Sequence, residues 1–300
     1  MRIAWVLILL SMSGACLAQP VEDAIDATGV KRLVIDVPRG EVEILGHSDT
    51  KIAISGYLDE AKTNFIFKVS GERAELRVEM PDNREWHGRQ STQLKVMVPQ
   101  SQLAVWFNGV ATDVLVSGIQ NEVRADTVSG DLTLVDLTST DSMRGLNFSS
   151  VSGDISLSKV KGPLVLSNVS GDIQGRAESR DVAVNIISGE LELTLGAIEK
   201  VNVSAVSGDI HIVGEVQSSG SSDIRMSSVN GEVKLTIGGK FEGRLRMQTG
   251  PGGDIVNRLS KHEPESSFIG EEYLKATIGR SGKNEIDLTT VSGTLIVEKP

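Results

Sequence analysis

The sequence predicts an all-β fold, a parallel β-helix (β-solenoid) with about 18–23 residues per rung. Three observations carry this. A five-residue motif returns at a near-constant interval. Apolar residues alternate on both sides of it. Aromatic residues make up only 4% of the chain, as suits a narrow core of Val, Ile and Leu. The motif reads Val-Ser-Gly-Asp-Ile at 151–155, 169–173 and 206–210, with close variants at 128–132, 187–191, 229–233 and 291–295. Its first residues lie 23, 18, 18, 19 and 23 positions apart before a long final gap. A fixed period near 20 is the signature of stacked coils, each of which cannot bury its apolar face alone.

Residues 1–18 read as a secretory signal peptide. Arg2 precedes an apolar run from Ile3 to Leu10, and small residues lead to cleavage after Ala18. The run is shorter than the ~20 residues that a spanning helix needs. Lipidation at Cys16 is the rival reading. It is disfavoured because Ser13 stands where lipoproteins usually carry an aliphatic residue. Cys16 is the one cysteine, so a chain starting at Gln19 has no disulfide framework, thiolate metal site or cysteine nucleophile. Losing the leader removes Arg2 and no acid, so the formal charge goes from −10 to −11. Such a chain does not suit a polyphosphate partner, and no nucleic-acid binding is expected.

Residues 19–99 are expected to form an irregular N-terminal β cap over the first rung, because solenoid ends must be covered. "VPRGEVEI" (37–44) and "VSGERAEL" (69–76) keep the valine, glycine and acid of the motif. The polar loop "PDNREWHGRQST" (81–92) sets Trp86 and His87 between Arg84 and Arg89. With Trp106, these form the candidate binding residues, since aromatic and Arg side chains often anchor partners.

Residues 100–300 are expected to form the solenoid proper. "FNGVATDV" (107–114) looks like a degenerate corner. One twelve-residue frame then covers 123–134, 146–157, 164–175, 182–193, 201–212, 224–235 and 286–297. Within it the apolar parity slips. Val182, Val184 and Ile186 share one parity, whereas Ile187, Leu191 and Leu193 share the other. The slip predicts two inward-facing strands meeting at a corner between Ile186 and Ile187. Gly130, Gly153, Gly171, Gly189, Gly208, Gly231 and Gly293 are then structural corners, turned inward where a side chain would crowd the bend. Stacking predicts Val128, Val151, Val169, Ile187, Val206 and Val229 as an inner ladder, with Ser129, Ser152, Ser170, Ser188 and Ser207 outside. The polar stretch 257–273, containing Pro264, is an excursion, and 286–297 is the last rung.

At this point the chain resembles the bacterial putative-adhesin family of β-strand repeats, an exported domain of unknown function. The matching features are the opening "RLVIDVPRGEVEILG" (32–46), the serial "SGD" corners and the closing "GKNEIDLTTVSGTLIVEK" (282–299). The resemblance implies an exported, repetitive β protein of the cell envelope, and it brings no catalytic residues.

The outward acids Asp131, Asp154, Asp172, Glu190, Asp209 and Glu232 should stack down one edge. Calcium could relieve their repulsion, but hydrogen bonds from corner amides or serines are the expected answer. A polysaccharide-active enzyme would need a rung where acids cluster and break the repeat, whereas the rungs from 123 to 235 are uniform. Between 110 and 240 the one aromatic residue is Phe148, on an inward position. His47, His87, His211 and His262 show no metal-ligand spacing. The expectation is a periplasmic or extracellular, non-catalytic binding or scaffolding protein without cofactor or metal. Its partners would be an envelope protein, a glycan or another copy of itself. A calcium-stabilised rod and a polysaccharide-active β-helix are the alternatives.

Overall fold

The computed structural model describes residues 19–59, 63–79, 91–139, 145–217, 220–279 and 283–300. Every regular element in them is a strand. The first seven are β1 (Gln19–Asp26), β2 (Arg32–His47), β3 (Lys51–Leu58), β4 (Asn64–Ser70), β5 (Arg73–Glu79), β6 (Gln93–Pro99) and β7 (Ala104–Ser117). Six strand pairs follow, each split by one copy of the motif. They are β8 (Val123–Ser129) and β9 (Leu132–Val135), β10 (Leu146–Ser152) and β11 (Ile155–Lys161), and β12 (Leu164–Ser170) and β13 (Ile173–Glu178). Next come β14 (Asp181–Ser188) and β15 (Leu191–Ile198), β16 (Lys200–Ser207) and β17 (Ile210–Val216), and β18 (Asp223–Asn230) and β19 (Val233–Gly238). The chain ends with β20 (Gly243–Gln248), β21 (Asp254–Asn257), β22 (Glu265–Ser266), β23 (Glu272–Ile278), β24 (Asn284–Ser292) and β25 (Thr294–Glu298).

The stacking is parallel and in register, as a β-solenoid requires. One face runs β2, β7, β8, β10, β12, β14, β16, β18, β24, β20. The other runs β2, β7, β9, β11, β13, β15, β17, β19, β25, β21. β2 and β7 pass through the corner without interruption, so they belong to both faces. A short third side closes each coil, seen where Thr138 meets Lys161, Val160 meets Ala177 and Ala197 meets Glu215. The interior is a set of aliphatic ladders. Val123, Leu146, Leu164, Val182, Val201 and Ile224 stack on the first face, and Leu132, Ile155, Ile173, Leu191, Ile210 and Val233 on the second, all buried. Each such side chain contributes about 1.5–3 kcal/mol on burial.

Antiparallel strands cover the two ends. β5, parallel to β2, and then antiparallel β4 lie beyond the first half of β2. β6, also parallel to β2, is followed beyond its second half by β3, antiparallel to β6, and β1, antiparallel to β3. At the far end β23 runs antiparallel to β20, with β22 beside it. Reversing direction ends the parallel template that another rung would extend. Here one expectation is corrected. The segment 286–297 is not the last rung in space. β24 and β25 slot between β18–β19 and β20–β21, so the chain overshoots by one rung and returns to fill the gap.

The corner is also corrected. The expected inner ladder faces out: Val128, Val151, Val169, Ile187, Val206, Val229 and Val291 are 39–57% exposed. The residue before each of them points inward instead, namely Thr127, Ser150, Asn168, Ile186, Ala205, Ser228 and Thr290, all buried. Four residues, 187–190 in the β14–β15 rung, make the bend without filling the core, and burial resumes at Leu191. Apart from Ile186, the inner wedge of the bend takes small or polar side chains, and two of these donate to carbonyls at the corner. Asn168 Nδ2 donates to the Gly153 carbonyl at 2.9 Å, and Ser228 Oγ donates to the Asn230 carbonyl at 3.2 Å.

Candidate functional site: an uncharged face with an aliphatic ladder

The bend that pushes the valines outward is held by two columns of the same motif. In the first, the glycines stack on one another. Gly189 has φ +139°, and a Cβ built on it would overlap the carbonyl oxygen of Gly171, one rung away. The same overlap links Gly208 to Gly189, Gly231 to Gly208 and Gly293 to Gly231. The glycines therefore do not face the core, as their parity suggested. They face the neighbouring rung, where backbone passes too close for any side chain.

The acids form the second column. The backbone N–H of Asp154 donates to Asp131 Oδ1 at 2.9 Å, that of Asp172 to Asp154 Oδ1 at 2.8 Å, and that of Glu190 to Asp172 Oδ1 at 2.8 Å. Asp113 begins this series by accepting from the Asp131 amide, and Asp209 accepts from the Glu232 amide at 2.8 Å. Each of these aspartates thus satisfies a corner amide of the next rung, which relieves the stacked charge with hydrogen bonds. Among the described residues, no group of three or more His, Cys, Asp or Glu is placed to hold a metal ion.

With the bend fixed, the outer surface of the first face takes its character from three columns. The corner column is aliphatic, from Val110 through Val128 and on to Val291, each about half exposed. Two residues earlier, Ser149, Ser167, Asn185 and Ser204 lie side by side on β10 to β16. Two residues earlier again lie Asn147, Val165, Ala183 and Asn202. None of these positions on the four middle rungs carries a charge. A shallow groove of about 430 Å³ runs along the stack between the Ser/Asn column and the aliphatic column. Charge borders the block, with Arg124 paired to Asp126 at 2.6 Å on β8, Arg225 paired to Asp223 at 2.9 Å on β18, and exposed Asp181 and Lys200 side by side at the start of β14 and β16. The second face differs, presenting Arg176, Glu192, His211 and Lys234.

The candidate binding residues read from the sequence fall elsewhere. Arg84, Trp86, His87 and Arg89 lie outside the described residues. Trp106 is half-buried on β7, upstream of the uncharged block. Its ring is covered by the Arg32 guanidinium, 3.7 Å from the centroid, and its Nε1 donates to Glu122 at 2.9 Å. The ring face and the indole N–H are therefore both engaged within the chain. His211 on β17 lies 3.4 Å from Thr236 Oγ1.

Sequence reasoning passed over Phe268. It is fully exposed, and Ile269 beside it is 62% exposed, at the tip of the β22–β23 turn. The turn itself is well held. The Ser267 N–H donates to the Glu271 carbonyl at 2.7 Å, and the Gly252 N–H to the Gly270 carbonyl at 3.1 Å. At its base the Tyr273 hydroxyl donates to Glu265 at 2.5 Å, and that hydrogen bond raises the tyrosine pKa above its ordinary value. The available signal was the Phe268-Ile269 pair inside a polar excursion.

The Toastrack DUF4097 family description matches residues 30–298. The chain belongs to this family. The match spans the solenoid and both of its covered ends, so the architecture above is that of a Toastrack domain. Two solved structures also match the chain. A putative adhesin from Bacteroides fragilis NCTC 9343 is 14% identical, with 94% of this chain and 98% of that chain covered and a TM-score of 0.48. A putative cell adhesion protein from Clostridium sporogenes ATCC 15579 is 10% identical, with 94% and 100% covered and a TM-score of 0.23. No curated protein matches the chain. No helix in the described residues is long and apolar enough to cross a membrane.

Proposed function

We propose that this Toastrack protein is an exported, non-catalytic, adhesin-like binding protein of the bacterial cell envelope, and that it engages its partner through the outer surface of its first face. The observation that carries this reading is the exposed aliphatic column. A chain with formal charge −10 spends an outward position on Val or Ile in rung after rung, beside columns that carry no charge on the four middle rungs. Contiguous exposed apolar surface of this extent marks interaction sites in soluble proteins. The centres of such sites are depleted in charge. Residues 1–18 support export through their leader pattern. The corner acids argue against the calcium-rod alternative, because their carboxylates already accept backbone amides. The regularity of the rungs argues against a hydrolytic cleft, which would need clustered acids breaking the repeat.

The test is retention of the purified protein on envelope fractions of its own cells, comparing wild type with Val169→Asp/Ile187→Asp. Both residues are exposed, so the melting temperature should stay close to wild type while retention falls about tenfold or more. Equal retention of a folded double variant would sink the reading.

A further inference from the structure

We propose that the partner of the first face is a second copy of this chain, apposed ladder to ladder. This inference rests on the proposal that the face is a binding surface and names its occupant. Three observations carry it.

The first is periodicity. The corner column repeats once per rung, about 4.8 Å, and the pairing is in register from β8 to β24. A ladder of that length gains from a partner only if the partner's repeat stays in step along it. A second copy has the same repeat by construction. Its half-exposed β-branched side chains can then settle between those of the first, as the inner faces of two packed sheets do.

The second is charge. The chain is strongly acidic, so two copies repel over most of their surface. On the first face the middle four rungs carry no outward charge between the two columns and the corner. Their outward residues are also short, mostly Ser, Asn, Ala and Val, which lets another flat face approach closely. The acids around the block are Asp126, which accepts from Ser149, exposed Asp181 at the start of β14, and the corner carboxylates Asp154, Asp172 and Glu190, all of which would sit at the rim.

The third is size. The aliphatic column runs through seven rungs, so at about 4.8 Å each the strip is about 34 Å long, and three columns two residues apart make it about 20 Å wide. The four uncharged rungs form its centre, and Arg124, Asp126, Arg225 and Asp287 lie towards its two ends. That footprint approaches the ~800 Å² that each partner contributes to a stable interface of standard size. A twofold arrangement closes on itself and leaves no ladder free.

The experiment is sedimentation and light scattering of the exported protein from low to high micromolar concentration. Wild type should be a dimer, and Val169→Asp/Ile187→Asp should be a folded monomer. So should Val169→Lys/Ile187→Lys. Mixing the two variants should restore a dimer, because opposite charges then meet across the ladders. Rim acids predict that wild-type association strengthens as salt rises.

A wild type that stays monomeric throughout would overturn the inference, even if envelope retention still depends on the face. A dimer that survives both double substitutions, or one that dissociates with salt, would overturn it too. A dimer lost in both variants and regained on mixing supports it, even if envelope retention is unchanged and the broader reading fails.

Discussion

Two columns run down the corner of this solenoid, two residues apart in sequence, and they repeat with equal regularity for different reasons. The glycine column is a backbone constraint. Gly130 lies against the Thr112 carbonyl and each later glycine against the carbonyl of the glycine in the neighbouring rung, with φ from +125° to +158° through the seven motif copies. The valine column is under no such constraint. Its members are half exposed, and the core begins on either side of them without their help. A periodic residue is therefore not by itself a core residue. Repetition records whatever every rung shares, and rungs share an outer surface as well as an inner one.

The largest effect should come from breaking the glycine column. Gly189→Val places a β-branched side chain into the Gly171 carbonyl and requires a positive φ that valine avoids. The neighbouring rung is backbone and cannot give way as a side chain would. A loss of about 4 kcal/mol or more is expected, read from the midpoint of chemical denaturation. A midpoint equal to wild type would show that the rungs can separate locally, and the stacking account would fall.

Much of this was legible before the structure. The repeat gave the number of residues per coil, and the parity slip gave two inward strands per motif. What misled was hydrophobicity at one position. Ile186 and Ile187 are both aliphatic, and so cannot tell which side of the slip faces in. In the other rungs the inward residue is Thr127, Ser150, Asn168, Ala205, Ser228 or Thr290, and the outward one is a valine. Thr127, Asn168 and Ser228 fit because nearby carbonyls receive their donors, and a pattern of apolar letters holds no trace of that. The β24–β25 insertion was hidden for another reason. From β7 to β19 chain order and spatial order agree, and nothing in "VSGTL" marks it as a return. The aliphatic face was misread as core, so its role as a surface emerged only from exposure.

A smaller effect is expected one step further along the motif, at the acids. Asp172→Ala removes the acceptor of the Glu190 amide, but that corner is exposed and water can replace the carboxylate. The expected loss is about 1 kcal/mol, and Asp172→Asn, which keeps an acceptor, should recover much of it. Adding calcium should leave the melting temperature of wild type unchanged. A calcium-dependent rise abolished by Asp172→Ala would mean that the column binds metal after all.

The smallest effect on stability, and the one that separates the two columns most cleanly, is at Ile187. Its neighbour Ile186 is 3% exposed, whereas Ile187 is 51% exposed. Truncating a buried isoleucine usually costs about 2–5 kcal/mol, through lost burial and the cavity left behind. No cavity can form at Ile187, because solvent already reaches it. The side chain loses only its contacts with Val169 and Val206 in the adjacent rungs, so Ile187→Ala should cost less than about 1 kcal/mol. The measurement must be made on the monomer, at a concentration below that of any association, since a dimer would add its own stability to wild type. Repeating it at high concentration then isolates the surface term. If Ile187 serves only to stack one rung on the next, the difference between wild type and variant will not change with concentration. If the column meets a second copy, the difference will grow as the concentration rises. A loss at low concentration as large as that expected for a buried isoleucine would return the residue to the core and dissolve the distinction between the two columns.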